Sequence, residues 1–343
     1  MTDLTLSLVG ALGAGLSVTV LVPWAVRLAP RIGALDVPRD GRRMHTRPTP
    51  RTGGLAMFVG LLVGMSVSGM ATAHLSALVC GATLLVLLGV LDDVFRLPPA
   101  LKLIVQIIAA ATALGNGGAW ERLPSPGGVM LLPRALALTV GVLWTVTLIN
   151  AHNMVDGMDG LAASIGTVES LTLACMLALQ TNVPAASLAL SLAAVCGAFY
   201  RYNRHPAQLF MGDTGSQLIG LALGVLSLRL DLGAMGSLGC LVPLLVVALP
   251  LSDLGFAVVR RLSRGESPFA ADRGHWHHRL YDAGYGQRGV CRWLSLFSLL
   301  LGGVGILLCR EAWYPFAVYL TLTAVGAVVL LDTVGRHSKQ KGG

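Results

Sequence analysis

The chain has 343 residues, of which 54% are hydrophobic and only 12% are charged, with a formal net charge of +8. Such a composition lies outside the range of soluble globular domains, so we exclude a soluble enzyme. The basic residues are spread over separate segments without an aromatic platform, so we also expect no binding of nucleic acid.

Apolar runs of about 20 residues, the length of a membrane-spanning helix, recur along the whole chain. A segment in lipid must satisfy its own backbone hydrogen bonds, and the alternation of barrel strands is missing. We therefore predict an all-α, polytopic membrane protein with about eleven spans, in which residues 1–343 form a single membrane-embedded domain. The predicted spans are 4–26, 53–70, 74–91, 101–115, 134–151, 161–180, 184–200, 216–230, 237–259, 291–309 and 313–332.

Positive charge predicts the orientation of these spans. If the segment 28–52 is cytoplasmic, 21 of the 25 Lys and Arg residues lie on the cytoplasmic side. The four others are Arg122, Arg134, Arg229 and Arg310. This asymmetry predicts an N-terminus outside and a C-terminus inside. No basic segment precedes the first span, so we expect a retained anchor rather than a cleaved signal peptide.

The third predicted span ends in two adjacent acids, Asp92 and Asp93. Carboxylates are costly beside hydrocarbon, and the dipole of a helix C-terminus disfavours them further. The functional interpretation is a pair that binds a divalent cation or a cationic partner. The alternative is a solvated helix end that pairs with Arg96 or Lys102.

The densest cluster of polar side chains follows the fifth span. Four oxygen-bearing residues recur there at three-residue spacing: Asn150, Asn153, Asp156 and Asp159. On a helix they would lie near one face, and Gly157 and Gly160 allow the backbone to approach a ligand closely. Oxygen ligands suit magnesium or manganese rather than zinc. We expect Asp156 to act in catalysis and Asn150 in substrate binding; the alternative is an ordinary turn.

The sequence FMGDTGS at 210–216 precedes the eighth span. A glycine-rich turn that leads into a helix can present backbone amides to phosphate, and Asp213 can be a metal ligand. The full Walker pattern is absent, so the turn is no P-loop. An equally good interpretation is that Asp213 or Thr214 caps the helix.

The last long inner loop contains the sequence DRGHWHHR at 272–279. Its phosphate-binding candidates are Arg273, His275, His277, His278 and Arg279, because guanidinium and imidazole groups donate hydrogen bonds to phosphate oxygens. A zinc site is a weaker interpretation, because no cysteine or other fourth ligand lies near these histidines. The alternative is a basic loop that contacts lipid headgroups.

Two further acids lie inside predicted spans. Asp253 is about seven residues, roughly 10 Å along a helix, from Arg260, so we expect it to point into the bundle near the inner face. Glu169 receives no assignment, and His152 alone carries no functional signal.

These features together favour one reaction class. A magnesium ion, basic donors and a glycine-rich turn at a lipid interface suit phosphoryl transfer between a soluble and a lipid substrate at the cytoplasmic face.

The motifs then point to a family. The chain resembles the polyprenyl-phosphate N-acetylhexosamine-1-phosphate transferases along nearly its whole length. The resemblance rests on DVPRDGRRMHTRPTPRTGG at 36–54, LDDVFRLPPALKLIVQ at 91–106, INAHNMVDGMDGL at 149–161, FMGDTGS at 210–216, PLSD at 250–253 and SPFAADRGHWHHRLYDAGYGQR at 267–288. It implies an eleven-span bacterial plasma-membrane enzyme that moves a phospho-sugar, GlcNAc-1-phosphate above all, from a UDP-sugar to undecaprenyl phosphate and releases UMP.

The resemblance also implies roles for single residues. Asp213 matches the family's magnesium ligand, and Asn153 matches a second ligand. The pair Asp92 and Asp93 matches aspartates debated as general base or as positioners of the lipid phosphate. Asp159 matches the acid that reads uracil.

Other matches concern the nucleotide and the sugar phosphate. Phe210 matches the aromatic residue beside the base, and the histidines at 275, 277 and 278 match a motif that binds sugar phosphate or pyrophosphate. Arg43 and His45 fall in a motif of less settled role, which we assign to substrate binding. The His-Trp-His-His form of this motif resembles the corresponding motif in the family branch that initiates O-antigen, common antigen or teichoic acid synthesis. A homodimer is compatible with the sequence.

The sequence leaves two alternative functions open. A secondary transporter of an anionic nucleotide or sugar phosphate would use midplane acids and symmetric halves, whereas these acids cluster at one face. An intramembrane prenyltransferase would need DDxxD-type sequences on two helices, and LDDVF supplies half of one.

Overall fold

The computed structural model describes residues 3–37, 48–69, 73–115, 117–125, 127–267 and 274–321. The long apolar runs form helices, which satisfy the backbone within each segment. These helices are α1 (Asp3–Ile32), α2 (Gly53–Ser68), α3 (Ala73–Phe95), α4 (Pro99–Leu114), α5 (Arg134–Val155), α6 (Leu161–Leu179), α7 (Val183–Asn203), α8 (Gly212–Ser227), α9 (Leu241–Val246), α10 (Ala248–Ser263), α11 (Trp276–Leu280) and α12 (Gly286–Leu308).

Two small antiparallel hairpins interrupt the helices. In the first, β1 (Leu35–Asp36) pairs with β2 (Thr49–Pro50). In the second, β3 (Arg122–Ser125) pairs with β4 (Gly128–Leu131) within the Gly- and Pro-rich connection between α4 and α5. The helical class is therefore confirmed, with these short strands as additions that the apolar periodicity does not reveal.

Six helical segments in the described ranges are long and apolar enough to cross a membrane. They are Asp3–Ile32, Ser76–Phe95, Arg134–Val155, Leu161–Leu179, Val183–Asn203 and Trp276–Leu308. The helices α2 and α4 are apolar but shorter. The protein is thus a multi-pass helical membrane protein, whereas the count of eleven and the orientation stay predictions.

The segment predicted as one span at 237–259 is not a single continuous helix. The structure divides this segment into α9 and α10, with Val247 at φ −108° and ψ 22° between them. Pro250 explains the break, because a proline clashes with the carbonyl four residues earlier, here that of Val246, where α9 ends. Most of the last predicted span lies outside the described residues. Its described part is helical at 314–321.

Helix α8 lies at the centre of the bundle, and nearly all its residues are buried. Glycines allow its neighbours to approach closely, as in many membrane bundles. A Cβ atom added at Gly220 would lie 2.5 Å from Leu148 O, and one added at Gly89 would lie 2.5 Å from the Thr214 backbone. Helix α8 therefore packs closely against α3 near its start and against α5 near its middle.

Gly220→Ala is expected to destabilise the protein. The new methyl group would overlap the backbone of α5, and overpacking of this kind costs about 1–3 kcal/mol. The matched control is Gly255→Ala on α10, where an added Cβ meets nothing within 4 Å. Because alanine favours helix more than glycine, the control should hold or raise the thermal midpoint in detergent. A Gly220→Ala protein as stable as the control would contradict this packing.

Candidate active site

Carboxylates from α3 and α8 share one ammonium group from α4. Lys102 Nζ donates to Asp92 Oδ2 at 2.8 Å and to Asp213 Oδ2 at 3.1 Å. The backbone N–H of Leu97 donates to the other oxygen of Asp92 at 2.8 Å. All three charged side chains are largely buried, with 12–26% of their surface exposed. The pairing of Asp92 with Lys102, raised above as the alternative, therefore exists, but within a larger cluster.

Asp93 is the most deeply buried acid of this cluster, with 3% of its side chain exposed. Its Oδ1 lies 3.4 Å from Arg51 Nε. Its Oδ2 lies where a Cβ atom on Gly212 would stand, and Gly212 has a φ of +66°. Glycine is thus required at 212 both for the backbone conformation and for the space beside the carboxylate.

The last turn of α5 adds an amide, and the residue that follows this helix adds another acid. Asn153 Nδ2 donates to Ser216 Oγ at 3.0 Å, on the first turns of α8 beside Asp213. Asp156 follows the end of α5 and is half-buried. Loss of hydration raises its pKa well above the ordinary range, the charges of Asp213 and other nearby carboxylates raise it further, and Arg51 opposes them.

A chain of amides supports the cluster from within the bundle. Asn150 Nδ2 donates to Gln106 Oε1 at 2.8 Å, and Gln106 Nε2 donates to Gln217 Oε1 at 3.2 Å. Gln217 Nε2 in turn lies 3.5 Å from Asp213 Oδ2. The chain ties α4, α5 and α8 together, and it engages the amide of Asn150, whose role in substrate binding stays a prediction.

The histidine motif is anchored by Asp253 of α10, which points into the bundle as predicted. Its carboxylate accepts from His275 Nδ1 at 2.9 Å and from the Trp276 backbone N–H at 2.9 Å. A carboxylate can only accept here, so His275 carries its proton on Nδ1 and directs Nε2 away from Asp253. The rings of His275 and His277 are stacked, with centroids 5.5 Å apart.

His277 links this motif to the α5–α6 loop. An added Cβ on Gly157 would lie 2.5 Å from His277 Nε2, so the imidazole covers that glycine. The ring of His278 lies 4.4 Å from that of His277. Arg279 lies over the Trp276 ring at 5.7 Å, at the exposed edge of the motif.

Asp159 lies on the other side of the loop. Its Oδ2 accepts from His205 Nδ1 at 2.7 Å and from the Ala207 N–H at 3.1 Å. It borders a cavity of about 460 Å³. The lining is strongly basic and contains Asp159, Tyr200, Arg201, Arg204, His205, Pro206, Gln208, Arg288, Cys291 and Arg292.

Phe210 joins the first hairpin to the start of α8. Its N–H donates to Pro50 O at 2.8 Å, and its carbonyl accepts from the Gly53 N–H at 3.0 Å. These bonds hold Arg51, which follows β2, near the acids of α3 and α8.

The structure thus brings most of the predicted residues to one end of the bundle. It gathers Asp92, Asp93, Asn153, Asp156 and Asp213, and it places the histidine motif against the adjoining loop. Arg43, His45, Asp272 and Arg273 lie outside the described residues, so their roles stay predictions.

Several contributors carried little sequence signal. Lys102, Gln106 and Gln217 are polar residues inside apolar runs, which is the pattern that could have identified them. Arg51 is one of many basic residues in its segment. Only the three-dimensional structure shows that it, rather than a neighbour, contacts Asp93.

The donor atoms suit a hard divalent cation. The buried oxygens of Asp93, the carboxylate of Asp213 and the amide oxygen of Asn153 are the ligand types that magnesium prefers. Within the described ranges, however, no three His, Cys, Asp or Glu side chains are already arranged around one point. Lys102 instead supplies the positive charge between Asp92 and Asp213.

A helical membrane bundle that gathers carboxylates, amides and basic side chains at one end is typical of an integral-membrane enzyme with a charged substrate. The sequence model of glycosyl transferase family 4 matches residues 75–231. A probable undecaprenyl-phosphate N-acetylglucosaminyl 1-phosphate transferase of Bacillus subtilis is 34% identical over 278 residues, 80% of this chain and 76% of that protein.

Two other relatives agree with that match. A decaprenyl-phosphate N-acetylglucosaminephosphotransferase of Mycobacterium tuberculosis is 37% identical over 296 residues, covering 77% of this chain and 72% of that protein. An undecaprenyl-phosphate alpha-N-acetylglucosaminyl 1-phosphate transferase of Salmonella typhimurium is 30% identical over 312 residues, covering 89% and 84%. The chain belongs to glycosyl transferase family 4.

Asp156→Asn is expected to raise the thermal midpoint of the protein in EDTA at neutral pH. The folded-state pKa of Asp156 lies above its ordinary value of 3.8, so its ionisation disfavours the fold. The penalty is absent at lower pH, grows as the pH rises past the ordinary value and is complete above the folded-state pKa. Denaturation curves of variant and wild type from pH 4 to pH 8 should therefore diverge. A variant less stable than wild type at pH 8 would contradict the assigned environment.

Proposed function

We propose that this protein transfers GlcNAc-1-phosphate from UDP-GlcNAc to undecaprenyl phosphate and releases UMP, at the cytoplasmic face of a bacterial plasma membrane. The observation that carries the proposal is the cluster of acids with Lys102 and Arg51 at one end of a membrane bundle. A lipid phosphate and a soluble nucleotide sugar can meet only at such an interface. The names of the relatives supply the sugar and the lipid, and none of the three is a transporter. The product would begin a cell-envelope polysaccharide.

The reaction needs no covalent enzyme intermediate. An oxygen of the lipid phosphate forms a bond to the β-phosphorus of the donor, and the bond from that phosphorus to the bridging oxygen breaks. UMP leaves with the bridging oxygen and its electron pair. A phosphomonoester has its second pKa near 6, so the lipid phosphate is already a nucleophile at neutral pH.

Lys102 and Arg51 neutralise carboxylates in the cluster and leave it less repulsive to anionic substrates. Asp92 and Asp93 then serve to orient these cations and the lipid headgroup rather than to remove a proton. His275, held by Asp253 through Nδ1, keeps a fixed orientation, and in its imidazolium form its Nε2–H can donate to pyrophosphate oxygens. Arg279 is a further candidate donor to these oxygens.

We further propose magnesium, or manganese, as the cofactor. Asp213, Asn153 and the buried oxygens of Asp93 would hold it. When bound, the ion would neutralise charge on the phosphates and on the leaving group.

The basic cavity beside Asp159 is the proposed site of the nucleotide. Its volume suits a nucleoside phosphate, and its arginines balance the phosphate charge. Asp159 has an acceptor oxygen for the N3–H of uracil. Phe210, the predicted stacking partner, is not among the described residues that line this cavity, so its contact with the base stays a prediction.

Asp213→Asn should abolish most transfer activity. The assay uses UDP-GlcNAc labelled in the β-phosphate, undecaprenyl phosphate and purified protein in detergent; wild type should move the label to lipid and release one UMP for each transfer. Extra magnesium should rescue the variant only in part. The control is Asp231→Asn, an acid that pairs with Arg122 away from the cluster. Lack of UMP release by wild type would refute the function and favour a transporter. Normal turnover in Asp213→Asn would refute its assigned role.

Asp159→Ala should weaken the binding of UMP and UDP-GlcNAc by about 1–3 kcal/mol, the scale of one charge-assisted hydrogen bond. Because Asp159 also holds His205 and Ala207, the comparison variant is His205→Phe, which removes the contact of that imidazole but leaves the carboxylate. Calorimetry should show a clearly smaller loss for the comparison variant. Equal losses in both variants would mean that Asp159 acts through His205, which also lines the cavity, rather than by binding uracil itself.

A further inference from the structure

A histidine and a glutamate form a fully buried pair that the reaction described above does not use. His152 lies in the last turn of α5 and Glu169 lies midway along α6, and neither side chain has exposed surface. His152 Nε2 lies 2.7 Å from Glu169 Oε2. Ionisable groups at such a depth are costly, and apolar side chains of similar volume often pack as well or better. The pair therefore calls for a role beyond packing.

The hydrogen bonds assign one proton to the contact between these side chains. His152 Nδ1 lies 2.9 Å from Leu148 O, and a carbonyl oxygen only accepts, so Nδ1 carries a hydrogen. One further proton then lies between Nε2 and Oε2, and the pair is neutral overall whichever atom holds it. The second oxygen of Glu169 has no hydrogen-bond partner within the described part of the chain. The carboxyl group therefore depends on His152.

Polar contacts join the end of α5 to three neighbouring helices, and the pair supplies one of them. Asn150 donates to Gln106 of α4 at 2.8 Å, and Asn153 donates to Ser216 of α8 at 3.0 Å. His152 reaches a third neighbour, α6. Successive helical residues point about 100° apart, so contacts with three different helices fix the rotation of this end of α5 as well as its position.

We propose that the His152–Glu169 pair positions the loop 156–160 by fixing the rotation of the end of α5. This orientation directs Asn153 toward the first turns of α8 and sets where Asp156 leaves the helix. Gly157 receives the His277 ring, so a rotated loop would also disturb the histidine motif. Supporting partners of this kind typically change activity about 10- to 100-fold when they are removed.

The test compares three variants of the full-length protein. His152→Phe/Glu169→Leu replaces both members with apolar side chains and leaves no unpaired buried charge. Glu169→Gln keeps a hydrogen-bonding group of the same shape. Ser170→Ala is the matched control, because Ser170 is the buried neighbour of Glu169 on α6 and its hydroxyl has no partner among the described residues.

Two readouts are taken for each protein, amide hydrogen exchange across 150–161 and steady-state transfer from UDP-GlcNAc. The double variant should stay folded, exchange faster at 156–160 and lose about 10- to 100-fold in kcat. Its KM for the donor should change by less than about threefold, because the loss falls on the transition state. Glu169→Gln and the control should stay within about threefold of wild type in both constants.

Two outcomes would overturn the proposal. Unchanged exchange and unchanged kcat in the double variant would assign the pair to packing alone. A loss in Glu169→Gln as large as that in the double variant would show that the carboxyl charge or proton is needed, rather than the orientation. The kinetic readout rests on the proposed function. If wild type releases no UMP, that function fails, and hydrogen exchange alone still decides the positioning role.

Discussion

The structure of the site depends on one electrostatic constraint: several carboxylates must stay close together at the end of an apolar bundle. Isolated charges in such surroundings are strongly disfavoured, and like charges repel one another. Lys102 satisfies the constraint by donating to Asp92 and Asp213 together, and Arg51 forms an ion pair with Asp93. Helices α3, α4 and α8 and the segment between β2 and α2, which carry these five residues, must therefore meet at one place. A cluster of this kind also suits a substrate that brings phosphate groups and a divalent ion.

The packing of the helices holds these charged residues together. Glycines let α3 and α5 approach α8 closely, and the amide chain from Asn150 to Gln217 joins α4, α5 and α8 beneath Asp213. In a membrane bundle, close backbone contacts and polar bonds between helices replace much of the hydrophobic drive that operates in water. The same contacts that hold the helices together thus hold the site in its geometry.

Much of this arrangement could be predicted from the sequence. Apolar length revealed the helices, and the spacing of polar groups in 150–160 identified the loop that borders the acids, because local patterns report local structure. The break at Val247 was foreseeable only from Pro250, and a long apolar run hid it. The strands of both hairpins are too short for a periodic signal.

The partners across helices could not be predicted in this way. Nothing local tells that Lys102 reaches Asp213, 111 residues away, or that Asp253 holds His275 from another helix. Glu169 could not be assigned a role from the sequence, because its role depends on its contact with His152. Such pairs form only in the tertiary structure. A single polar residue in an apolar run indicates only that some partner exists.

The most direct test of this account removes the shared ammonium group. Lys102→Met keeps the length of the side chain and leaves Asp92 and Asp213 without their common donor. Measured in EDTA at pH 7.5, the free energy of unfolding should fall by about 1–3 kcal/mol, below the cost for a fully buried pair because these groups keep some exposure. A second change, Asp92→Asn, should restore part of the loss by removing one of the repelling charges. If Lys102→Met is as stable as wild type, or if Asp92→Asn lowers its stability further, charge balance does not organise the site.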